Sequence, residues 1–104
     1  MRTWENRMHV ISRRALLEFA ASHADAARPL DAWFRTAQAS RRQNIIEVQA
    51  SWPSAEAIGG LTVFNVKGNS YRLITRIKYR TGIIFIRAIL THAEYDKGKW
   101  NGRG

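Results

Sequence analysis

The chain has 104 residues, no cysteine, 45% hydrophobic content, and a net charge of +9 with a pI near 11.1. That length suits one domain with a single modest core. The absence of cysteine excludes disulfides, thiol nucleophiles and cysteine-based zinc sites. The three histidines, His9, His23 and His92, lack the short spacing of metal-binding pairs, so no metal or other cofactor is expected. The excess positive charge points to a polyanionic partner, nucleic acid before an acidic protein. No apolar run approaches the roughly 20 residues needed to span a bilayer and no secretory signal opens the chain, so a cytoplasmic place away from membranes is expected.

Residues 1–7 read as a polar, basic N-terminal extension, 8–97 as one domain and 98–104 as a C-terminal tail. His9–Ile11 suits a short strand, after which Ser12 is placed to N-cap a helix reaching about His23. Ala15, Leu16, Phe19 and Ala20 recur on one face of that helix, and His23 reads as a helix-end histidine rather than a ligand. Pro29 suits the first turn of a second helix reaching about Ser40, with Leu30, Trp33, Phe34 and Ala37 as its core face. Arg41 to Trp52 mixes β-branched residues with helical spacing and is expected to be a short helix or an irregular link. Ser54 to Gly60 reads as a loop, with Gly59 and Gly60 permitting a turn.

From Leu61 the period becomes two. Strands are expected over Leu61–Lys67, Tyr71–Tyr79 and Ile83–Leu90, joined by turns at Gly68–Asn69 and Arg80–Thr81–Gly82 that are too short for crossover helices. The predicted class is α+β, with two N-terminal helices packed on an antiparallel sheet of three to four strands. Alternation puts Thr62, Phe64 and Val66, Leu73 and Ile77 with the two flanking tyrosines, and Ile84, Ile86, Ala88 and Leu90 toward the helices. The opposite face then collects Lys67, Arg72, Arg76, Lys78 and Arg87 with no acidic residue among them. Such a face is either a solvated sheet surface or a phosphate-binding one, where Phe85 or a tyrosine could stack a base. Asn69, in the first turn, joins Lys67, Arg76, Lys78 and Arg87 as an RNA-binding candidate.

After the last strand the run THAEYD brings together His92, Glu94, Tyr95 and Asp96. An imidazole there can move a proton near neutrality, although a lone histidine after a strand is more often structural. Together with MHVISRRAL and VFNVKGNSYRLI, the segment IFIRAILTHAEYDK resembles the HigB-type toxins of bacterial toxin-antitoxin systems, in the RelE-like superfamily of mRNA interferases. The resemblance covers about Met8 to Lys97. It implies metal-independent cleavage of mRNA, often on the ribosome, through attack of the ribose 2′-hydroxyl on the adjacent phosphate. It also implies inhibition by a helix-turn-helix, HigA-like antitoxin. On this resemblance Arg72 is the phosphate clamp, His92 the general acid, Tyr95 an orienter or base partner, and Lys67 an orienting lysine. The chain departs from relatives that carry a dense lysine pair on the first meander strand, since Asn65 precedes only Lys67. The competing reading is a basic RNA- or ribosome-binding module without catalysis; a DNA-binding protein is less well served, because no helix has a basic, polar recognition face.

Overall fold

In the computed structural model, which describes residues 7–98, three long strands form the centre of a five-stranded mixed sheet. In chain order the elements are β1 (His9–Ile11), α1 (Arg13–Ser22), a 3-10 turn (Ala24–Ala26), α2 (Ala27–Ala39), α3 (Ile45–Ser51), β2 (Glu56–Ile58), β3 (Leu61–Val66), β4 (Tyr71–Lys78), β5 (Ile83–Thr91) and α4 (His92–Asp96). The strands lie in the order β1-β5-β4-β3-β2, with β1 parallel to β5 and every other pairing antiparallel. Most of the expected N-terminal extension and C-terminal tail lies outside the described residues.

The α+β class and the antiparallel meander agree with the sequence reading, while the sheet is wider than expected. Glu56–Ile58, read as loop, pairs with β3 through a two-residue turn at Gly59 and Gly60, whose φ angles of +55° and +82° favour glycine. Three residues are too few to show alternation, so this strand owes its existence to its neighbour. Ser12 holds the N-cap position of α1, but with φ +75° and no side-chain cap bond. His23 closes α1 as a structural residue, its ring stacked on Phe19 at 4.0 Å and its Nδ1 3.2 Å from the Phe19 carbonyl.

The helices bury their apolar stripes on one face of the sheet. Leu16 from α1, Leu30, Trp33 and Ala37 from α2, and Val48 from α3 meet Phe64, Val66, Leu73, Ile84 and Ile86. Phe64 sits edge-on to Trp33 and Trp52, with ring centroids 5.3 and 4.9 Å away. Truncating a buried aromatic at such a centre typically costs about 3–5 kcal/mol.

One irregularity decides which side chains leave this core. Ile74 pairs with Ala88 while Thr75 pairs with Ile86, so Arg87 is an extra residue at a β-bulge. Unbroken alternation places Ala88 and Leu90 with Ile84 and Ile86 on the helix side. The bulge reverses the order beyond Arg87. Ile89 packs against the core, and Ala88 and Leu90 fall on the opposite face beside Ile74 and Arg72.

Candidate active site

At the end of β5 the chain turns onto the face away from the helices. Thr91 and Glu94 make this turn through a capping box. The Thr91 hydroxyl accepts from the Glu94 backbone N–H at 3.2 Å, and the Glu94 carboxylate accepts from the Thr91 N–H at 2.9 Å. That backbone bond is the main reason the Glu94 carboxyl titrates below its ordinary range. The His92 N–H donates to the Ser70 carbonyl at 3.0 Å, which ties the start of α4 to the β3–β4 hairpin. The sequence T-H-A-E carries the capping signature, although the sequence reading places no helix there.

Arg72 is the centre of the site and is 8% exposed. Its Nη1 donates to the carbonyls of Asn69 and Tyr71 at 3.1 and 3.2 Å, and its Nη2 donates to Asn69 Oδ1 at 3.1 Å. Nη2 also lies 3.3 Å from His92 Nδ1, and the guanidinium carbon lies 5.2 Å from the centroid of the Tyr95 ring. A guanidinium has only donors, so a favourable contact requires an unprotonated Nδ1. The imidazole proton then belongs on Nε2, which faces the Asp96 carboxylate at 3.0 Å. Asp96 and Arg72 thereby fix both the tautomer and the orientation of His92. Burial is the largest cause holding the Tyr95 phenol above its ordinary pKa, so the group stays a hydrogen donor around neutrality.

Beside this cluster is a cleft of about 280 Å³ lined by Ser54, Glu56, Val63, Asn65, Asn69, Arg72 and Tyr95. Four of the residues expected to be functional, Asn69, Arg72, His92 and Tyr95, therefore come together. Arg76, Lys78 and Arg87 are exposed farther along, with Lys78 lying 5.6 Å from the centroid of the Phe85 ring.

Residues 26–98 match the HigB toxin family, described as the RelE-like toxic component of a toxin-antitoxin system. The chain belongs to this family. It is 29% identical over 92 residues to the mRNA interferase toxin HigB of Escherichia coli K12, a match covering 86% of this chain and 88% of the relative. The mRNA interferase HigB of Shigella flexneri aligns with the same identity and coverage. That of Escherichia coli O6:H1 is 28% identical over 93 residues, covering 86% of this chain and 90% of the relative.

Within this HigB-family fold, two sequence expectations about the cationic face need correction. Lys67 does not share the face of Arg72. It occupies a left-handed turn position with φ +53°, and its Nζ meets the Asp25 carboxylate at 2.7 Å on the helix side. Tyr71 donates to the other oxygen of that carboxylate at 2.6 Å, so Asp25 fastens the hairpin from behind. The Lys67 and Tyr71 hydrogen bonds, in that order, hold the Asp25 carboxyl below its ordinary range. The second correction concerns charge, because Glu56 places an acidic group in the cleft beside Arg72. Its only sequence signal was an acidic residue shortly before the Gly–Gly turn. The residue was unassignable to a face while its segment was taken for a loop.

Proposed function

We propose that this toxin-family chain is an mRNA interferase, an endoribonuclease that cuts messenger RNA on the ribosome in the cytoplasm. The observation that carries the reading is the direct coupling of buried Arg72 to His92 and Tyr95 at one end of an exposed cationic face. In this reading Asn69, Arg76, Lys78 and Arg87 hold the RNA, the three cations through phosphate charge. Lys67 joins them at the hairpin tip by exchanging Asp25 for a phosphate.

The chemistry is attack of the 2′-hydroxyl on the adjacent phosphate, its proton passing to solvent water, with a cyclic phosphate formed and a 5′-hydroxyl expelled. His92 acts as the general acid that protonates the leaving oxygen. Protonated His92 cannot accept from Arg72, so reaching the acid form breaks the Arg72–His92 contact. One guanidinium N–H is then released toward the same phosphate, where a bidentate cation stabilises the charge accumulating on oxygen. Tyr95, neutral and packed under Arg72, orients the phosphate. The natural inhibitor is proposed to be a helix-turn-helix antitoxin of the HigA type, drawn in by the positive surface.

Induced expression is expected to stop growth and to generate new 5′-hydroxyl ends in messenger RNA. His92→Ala and Arg72→Ala are expected to relieve both effects while the proteins keep their circular dichroism and melting transition. Full toxicity in both variants would falsify the assignment, and arrest without new RNA ends would point to a binding module.

A further inference from the structure

Glu56 is out of place in a site meant for a polyanion. It sits on the edge strand β2 opposite Val63, while Arg72 sits on β4 opposite Asn65. The two residues therefore lie diagonally across β3, separated sideways by two strand spacings, roughly 10 Å. Both line the same cleft, and Asn65 and Asn69 line it with them. Beyond the backbone pairing of β2, no hydrogen bond or ion pair of the Glu56 side chain is found among the described residues, which leaves a cleft-lining carboxylate with acceptors to spare. The Tyr95 phenol registers the charge, since Glu56 is the second cause after burial of its raised pKa. A carboxylate here repels phosphate and is useful only toward a group that donates hydrogens.

Single-stranded RNA offers such groups on its base edges, which proteins read when the bases are splayed out of a stack. Guanine presents its ring N1–H and its N2 amino group side by side, matching the two oxygens of one carboxylate. Adenine and cytosine offer one amino group to the same acceptor, and uracil a single ring N–H. The remaining guanine atom on that edge, O6, needs a donor. Asn69 commits its oxygen to Arg72, leaving its amide NH₂ for such a contact, and Asn65 adds a second amide. The volume of about 280 Å³ falls just below pockets that enclose drug-sized ligands, roughly 300–1,000 Å³, and suits one base.

We infer that the cleft between Glu56 and Arg72 is a nucleobase subsite in which Glu56 reads the Watson–Crick edge of a guanine. This deepens the ribonuclease reading and rests on it: a phosphate held at Arg72 and a base edge held at Glu56 lie about one nucleotide's reach apart.

The test maps 5′ ends in the transcripts of cells expressing wild type, Glu56→Gln or Glu56→Ala. Wild-type ends are expected to be enriched in guanine at one fixed position relative to the cut. Glu56→Gln, whose amide offers one acceptor where the carboxylate offered two, is expected to weaken that preference on the order of tenfold and to redistribute cuts among the bases. The idea fails if wild type shows no guanine enrichment, or if Glu56→Gln leaves the enrichment intact. It fails equally if Glu56→Gln slows every site by one factor, which would mark a role in proton transfer. A wild type that makes no cuts refutes the ribonuclease reading instead. In that case the affinities of short RNA oligonucleotides differing at one base decide the subsite: a guanine preference lost in Glu56→Gln supports it, and equal affinities overturn it.

Discussion

Arg42 and Arg72 bury their guanidinium groups to similar depth, 4% and 8% exposed, yet their partners differ in kind. Arg42 donates to the carbonyls of Thr36, Ala37 and Ser40, where α2 ends, and to the Ser51 hydroxyl in α3, with its guanidinium over the Trp52 ring. Those acceptors never titrate, and the bonds satisfy carbonyls that every helix leaves unpaired at its C-terminus. Arg72 donates to two carbonyls as well, but also to the Asn69 amide oxygen, and it lies 3.3 Å from the His92 imidazole. One arginine is a fixed clasp between helices, whereas the other, in the proposed mechanism, is released when its histidine partner takes up a proton. Depth of burial alone does not distinguish these two arginines; the chemistry of their acceptors does.

The sharpest way to break this contrast is Arg72→Ala. Cleavage is expected to fall roughly 10²–10³-fold, the scale of removing a preorganised donor from developing charge, while stability changes less than in the Arg42 variant. Single-turnover cleavage alongside urea unfolding measures both. Arg42→Ala should do the reverse, lowering the unfolding free energy by about 3 kcal/mol through carbonyls left unpaired. The folded fraction should retain its cleavage rate. Removing the cap of α4 with Thr91→Ala is expected to cost about 1 kcal/mol and to loosen His92 without touching it. Activity should then drop in kcat, with less change in KM. Arg87→Ala is expected to weaken RNA binding evenly across sequences and to reduce the salt dependence of log Kd by about one charge, read by titration at several ionic strengths.

The smallest expected effect concerns the back of the hairpin. Asp25 has a folded pKa below its unfolded value, so its contribution is present above the ordinary aspartate range, about 3.9, and is lost as pH falls through the lower folded value. Urea midpoints followed from about pH 6 to about pH 2 should show that acid-sensitive component in wild type and lack it in Asp25→Asn.

The long strands were legible because six or more residues at period two leave a readable pattern. The pairing of Arg72 with THAEYD was visible through family resemblance, and the fold brings Arg72, His92 and Tyr95 together. Other features depended on neighbours rather than on residues of their own. Glu56–Ile58 is a strand because β3 supplies partners, and Glu56 gained a face only once that pairing was known. Lys67 looked like a member of the open face until its positive φ turned it toward Asp25. Arg42 gave no signal because its partners are mostly backbone carbonyls, which any sequence possesses.

The bulge at Arg87 acts as a parity switch for everything after it. Strand positions belong to one face or the other by odd or even count, and the extra residue changes the count between Ile86 and Ala88. Straightening the bulge by pairing Arg87 with Ile74 would therefore do more than regularise the ladder. It would return Ala88 and Leu90 to the helix side, force Ile89 out of the core, and deliver Thr91 and His92 out of phase with Arg72. The location of His92 is in this sense a property of chain length, set five residues before the histidine itself.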